Sequence, residues 1–162
     1  MNIEEILKEA ILLERRGKAF YERVAATTES EAARAVFSTM ADEEAKHIDA
    51  LSVAFSGMVG GEGGDFSVPS LAPARIADSI LTDRVKDEVE AAGYEAAAIY
   101  AAMGMEERAI AFYTEQAGKA EGKVKELFAW LADWERGHLD LLQGLNEDLR
   151  QRVWQDQHFW PF

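Results

Sequence analysis

The sequence predicts an all-α fold: a four-helix bundle made from one helical hairpin used twice, with a long crossover between helix 2 and helix 3. Three observations point there. Apolar residues recur at helical spacing along four stretches, a segment of the first half returns in the second, and glycine and proline collect between the halves. The returning segment is Phe37 to Leu51, FSTMADEEAKHIDAL, which comes back without a gap as Phe128 to Leu142, FAWLADWERGHLDLL. Phe37/Phe128, Ala41/Ala132, Asp42/Asp133, Glu44/Glu135, His47/His138, Asp49/Asp140 and Leu51/Leu142 coincide.

Helix 1 is expected from Ile3 to about Ala26, where Ile3, Leu7, Ala10, Ile11, Glu14, Tyr21 and Ala25 fall in one wedge of the helical wheel, with Gly17 a turn after Glu14. Thr27, Thr28 and Ser30 supply turn and capping chemistry, and helix 2 follows from about Glu31 to Phe55. So short a connection makes the two antiparallel neighbours. Residues 56 to 73, SGMVGGEGGDFSVPSLAP, hold five glycines and two of the three prolines and cannot stay regular for long. They open a crossover, 56 to 92, that includes a short polar helix or helical turns over 74 to 91. Helix 3, about Gly93 to Lys119, presents Ile99, Ala102, Met103, Glu106, Ala109, Ile110, Tyr113 and Ala117 on one face. It repeats helix 1, since AILLERRGKAFY (Ala10 to Tyr21) aligns with AMGMEERAIAFY (Ala102 to Tyr113). Helix 4 is expected from about Gly122 to Leu149. One domain, residues 1–150, is thus followed by an aromatic tail over 151–162, which is expected to dock on the bundle or on a second subunit.

Composition narrows the function. A chain of 162 residues with 48% hydrophobic content can bury a core without a staple. A net charge of −13 disfavours nucleic acid and anionic membranes as partners and favours cationic ligands. No segment approaches a membrane span, and the N-terminus lacks a basic region followed by an apolar run, so a cytoplasmic location is the expectation. With no cysteine, any metal must be held by carboxylate and imidazole.

The chemistry lies in the repeated Glu-x-x-His frames. A three-residue step turns a helix by about 300°, so Glu44 and His47 share a face, as do Glu135 and His138. Phe37, Met40, Ala41, Ile48 and Leu51 lie on that face of helix 2, and Phe128, Leu131, Ala132, Leu139 and Leu142 on that of helix 4. The acids therefore point into the core, where an unpaired carboxylate costs several kcal/mol unless a cation takes up its charge. Adding the core-facing acids of helices 1 and 3 gives Glu14, Glu44, His47, Glu106, Glu135 and His138. One Glu from each of two helices and one Glu-x-x-His from each of the others is the ligand set of di-iron and di-manganese carboxylate bundles. Four carboxylates balance two divalent ions. Oxygen donors with one imidazole per ion suit iron or manganese.

With E-x5-FY on helices 1 and 3 and F-x2-[ML]-A-x2-E-x2-H on helices 2 and 4, the chain resembles the ferritin-like superfamily, in particular its rubrerythrin branch, over roughly residues 3 to 149. The resemblance implies a ferritin-like bundle holding two iron ions, with manganese or zinc as alternatives. Glu44 and Glu135 would bridge them, Glu14 and Glu106 would be terminal, and His47 and His138 would bind one iron each. Tyr21 and Tyr113, two turns beyond a ligand, would orient carboxylates by hydrogen bonding. It implies an oxidoreductase of the peroxidase or ferroxidase type, acting in oxidative stress on hydrogen peroxide or dioxygen. Electrons would come from an external donor such as rubredoxin, and the assembly would be a homo-oligomer, a dimer in the first instance. The competing readings are a non-catalytic iron-storage or iron-handling protein, and a structural bundle that binds metal adventitiously.

The chain departs from the branch twice. A rubrerythrin carries a C-terminal rubredoxin module, and a chain without cysteine is expected to lack it. The branch also uses an extra carboxylate one turn after the helix 3 ligand, where this sequence has Ala109, mirrored by Gly17. Small residues there would leave room for oxygen, peroxide or water. Trp130 and Trp134 lie about 100 to 140° off the ligand face and are expected to serve helix packing. Asp42, Asp49, Asp133 and Asp140 are expected as surface or interhelical charges, and His158 as no ligand.

Overall fold

The computed structural model describes residues 2–59, 66–69 and 93–156. Four helices account for nearly all of them: α1 (Ile3–Thr27), α2 (Glu31–Val59), α3 (Tyr94–Lys119) and α4 (Gly122–Asp156), with no strand among the described residues. Asn2 opens α1 with a reciprocal cap. Its Oδ1 accepts the Glu5 N–H at 2.9 Å, and Glu5 Oε2 accepts the Asn2 N–H at 3.0 Å. At the first corner the Thr28 N–H closes α1 on the Val24 carbonyl at 2.9 Å, and Ser30 Oγ opens α2 by accepting the Ala33 N–H at 3.1 Å. The second corner turns on Gly122, whose φ of +56° a side chain would resist.

Topology follows from the order in which each helix meets two apolar clusters. One cluster gathers Tyr21, Val24, Phe37, Met40, Ile99, Leu141 and Leu145. The other gathers Leu7, Leu51, Ala54, Tyr113, Leu127 and Phe128, with Phe66 from the crossover. Helix α1 passes from the second to the first, α2 returns, α3 repeats the direction of α2, and α4 that of α1. Each hairpin is therefore antiparallel, and the two hairpins meet through α1 against α3 and α2 against α4. Since α2 and α3 set out from the same end, α3 begins at the end of the bundle opposite to where α2 stops. This is the ferritin-like all-α architecture expected from the sequence.

Two helices outrun their expected ends. Helix α2 continues past Phe55 to Val59 because Phe55 and Met58 still find apolar surface to pack on. Helix α4 continues past Leu149 to Asp156, its added turn held by Arg150 and Gln151, which both donate to Glu147. It thereby absorbs the first half of the expected tail. The helix expected over 74–91, His158 and the tail from residue 157 on lie outside the described residues. No helix among the described residues is long and apolar enough to cross a membrane.

Candidate metal centre

Between the two apolar clusters every helix carries one polar stretch. Glu14 sits between Ala10 and Tyr21, and Glu106 between Ala102 and Tyr113. Glu44 and His47 are flanked by Met40 and Leu51, Glu135 and His138 by Leu131 and Leu142. Helical periodicity thus turns all six inward at one level of the bundle, and none is more than 3% exposed. Ile48 and Leu139, expected on the same face, are only half-buried because they sit at its margin.

The six side chains form two overlapping groups, Glu14–Glu44–His47–Glu135 and Glu44–Glu106–Glu135–His138, each with one donor atom per residue within 4.8 Å of the others. Glu44 and Glu135 belong to both. His47 Nδ1 lies 3.0 Å from Glu14 Oε2, 3.0 Å from Glu135 Oε1 and 3.4 Å from Glu44 Oε2. His138 Nδ1 lies 3.0 Å from Glu135 Oε2, 3.6 Å from Glu44 Oε1 and 3.7 Å from Glu106 Oε1. Donors about 2.1 Å from an octahedral ion are about 3.0 Å apart along an edge, so the spacing fits donors gathered round a cation. One imidazole N–H cannot satisfy three carboxylates. Glu135 Oε1 remains without a hydrogen bond among the described residues despite its closeness to His47.

The electrostatics are those of a cage that wants positive charge. Burial, then repulsion from Glu135 and Glu14, pushes Glu44 well above the usual carboxylate range. Burial and Glu135 do the same to Glu106, while burial and Glu14 raise Glu135. Glu14 goes the other way: burial would raise it, but hydrogen bonds to Glu44, His47 and Tyr113 prevail and hold it low. Burial would depress His47, yet Glu135, Glu14 and Glu44 overcome this and hold its pKa well up. His138 is depressed, by burial first and by His47 stacked 5.5 Å away.

The tyrosines tie the hairpins together. The Tyr21 hydroxyl donates to Glu106 Oε1, and Tyr113 donates to Glu14 Oε1. Burial, with the facing carboxylates, pushes both phenols well above their ordinary value, so they remain donors. Asp42, Asp49, Asp133 and Asp140 are exposed and away from the cluster.

Three features were not foreseen or only half foreseen. Trp130 and Trp134 do pack, but what they pack on is His47 of the other hairpin, with ring centroids at 5.7 and 5.6 Å and planes near perpendicular. Glu43, unremarkable in sequence beside Glu44, is buried and bonds Lys46 at 2.6 Å. A cavity of about 190 Å³ also opens between α1 and α3, over Gly17 and Ala109, onto Glu14, Glu44, Glu106 and Glu135. Arg16 and Arg108, both exposed, stand at its rim. A side chain at Gly17 would intrude, since an added Cβ would meet the Glu44 carboxyl carbon at 3.3 Å.

The comparisons agree with this geometry. The sequence profile of one family, Rubrerythrin, matches residues 5–101 and 97–159. Among solved structures, a hypothetical protein from Pyrococcus furiosus is similar, with 28% identity and a TM-score of 0.67 over 94% of this chain and 92% of that one. No curated protein matches the chain. Family and buried cluster together fit a site for two metal ions.

Proposed function

This chain belongs to the rubrerythrin family, and from that premise we propose that it is a non-haem di-iron oxidoreductase reacting with hydrogen peroxide or dioxygen, its electrons drawn from a separate donor protein such as a rubredoxin. The observation that carries the reading is the sharing of Glu44 and Glu135 by both donor groups, which would let one buried cage hold two ions. Bound iron supplies Fe(II)/Fe(III) chemistry, two ions accounting for the two electrons needed to cleave a peroxide O–O bond.

The chain's own part is binding, orientation and exclusion. Glu14 and His47 would hold one ion and Glu106 and His138 the other, while four carboxylates would offset the charge of two divalent ions. Tyr21 and Tyr113 fix the terminal carboxylates Glu106 and Glu14. Apolar clusters flank the cage on both sides, and the cavity over Gly17 and Ala109 offers a reactant a way in to the carboxylates.

Anaerobic loading tests this. The metal-free chain should take up two Fe(II), and each peroxide added should oxidise two of them and raise the near-ultraviolet absorption of Fe(III). A chain that holds two irons yet leaves peroxide and dioxygen unreduced is not an oxidoreductase of this kind. Sedimentation as a dimer is expected; a hollow multi-subunit shell would favour storage instead.

A further inference from the structure

The two hairpins match closely where they touch the cage. Tyr21→Glu106 mirrors Tyr113→Glu14, and the Tyr21–Phe37 stack at 6.1 Å mirrors the Tyr113–Phe128 stack at 6.0 Å. A pseudo-twofold axis therefore relates residue i of α2 to residue i + 91 of α4, as it relates His47 to His138. Trp134, whose indole lies behind His47, corresponds under it to Glu43, and Trp130 to Thr39, so the twofold would set the Glu43 carboxylate on the outer side of His138.

The unpartnered atoms agree. His138 Nε2 and Glu43 Oε2 are both buried without a hydrogen bond among the described residues. Lys46 occupies only Oε1 of Glu43, which leaves Oε2 open. At the other hairpin His47 Nε2 and Trp134 Nε1 are likewise unpartnered, and with Nδ1 on a metal both would only donate.

We propose that the two metal positions are chemically unequal: Glu43 backs the imidazole of His138 and makes that position the tighter one, whereas the indole behind His47 leaves its position the weaker. The inference rests on the two-ion reading above. A carboxylate set to accept the outer N–H of a metal-bound imidazole orients the ring and raises its donor strength, and losing such a partner typically lowers metal affinity by about 10–100-fold. An indole offers the outer N–H only a π face. The ions therefore load in order, the His138 position first, and the same position favours the higher charge state of a metal.

Titration of the metal-free full chain with Co(II), followed by calorimetry and visible absorption, tests this without any turnover. Two separate steps about tenfold or more apart are expected. Glu43→Gln, which keeps the shape and removes the charge, should weaken the first step by about 10–100-fold and draw the two together. In a double-mutant cycle the Glu43→Gln effect should persist beside His47→Gln and vanish beside His138→Gln. Unfolding of each metal-free variant checks that the fold is retained. Uptake of two ions with equal affinity, or a Glu43→Gln isotherm matching the parent, overturns the inequality and leaves the two-ion reading standing. Uptake of fewer than two ions by the parent overturns both.

Discussion

His47 and His138 occupy matching points of the two hairpins, turn Nδ1 toward the same carboxylates and stack on each other at 5.5 Å. Behind them the match ends. The first leans on Trp130 and Trp134, and the second has Glu43 at the corresponding point, buried beside an exposed lysine. The six positions that turn charge into the cage carry the same residue types in both hairpins. One layer out the types differ, with an indole at Trp134 and a carboxylate at Glu43.

The largest test of this comparison concerns the shared carboxylates. Glu44→Ala or Glu135→Ala should abolish binding of both ions, whereas Glu14→Ala or Glu106→Ala should leave one, as elemental analysis after dialysis would show. Without metal, the same Glu44 and Glu135 variants should melt higher than the parent, because they remove a repelling acid. A lower melting temperature would break that account.

Next in size is the pH dependence. Glu44, Glu106 and Glu135 have pKa values raised above the ordinary 4.5. Above that value the folded metal-free chain therefore holds more protons than the unfolded one, and its stability falls as pH rises. His47, also raised, acts in the same direction as its proton is lost; His138, lowered from 6.5, opposes it, and Glu14, lowered from 4.5, has already made its contribution. Metal ions replace these protons, so a divalent ion should bind more tightly with rising pH and cancel or reverse the decline. Urea unfolding between pH 5 and 8, with and without Mn(II), measures it, and metal-free stability that climbs through this range would contradict the cage electrostatics.

A smaller effect probes symmetry where it holds. Tyr21→Phe and Tyr113→Phe each remove a hydrogen bond to a buried carboxylate, about 1.5–3 kcal/mol in the metal-loaded protein. The two losses should match; a marked difference in denaturant unfolding would extend the asymmetry inward. The smallest effect sets Gly17 against Ala109. Gly17→Ala gains up to about 1 kcal/mol of helix propensity but places a methyl 3.3 Å from the Glu44 carboxyl carbon, so Co(II) affinity should fall a few-fold while stability holds or rises. Ala109→Gly should do the reverse, costing about 1 kcal/mol of stability with affinity unchanged.

The helices and the six cage residues were legible because both follow from local periodicity. A residue's face depends on its neighbours three and four positions away, and duplicate Glu-x-x-His frames on apolar faces leave few readings. Helix ends were less so: at Met58 and beyond Leu149, packing and side-chain bonding carry the helix on past residues that look like a stop. Trp130 and Trp134 were placed correctly on their own helix and still not seen beside His47, since their neighbour there belongs to the other hairpin. The same holds for Glu43.

By itself, then, the order of amino acids determined the two repeated hairpins, the inward turn of their acids and the need for positive charge among them, because helix geometry and the cost of buried charge act within a single rod. Which groups stand behind each histidine was decided only when the hairpins docked. Those contacts join residues tens of positions apart, and their distances depend on how α2 lies on α4 and α1 on α3, which no local spacing records.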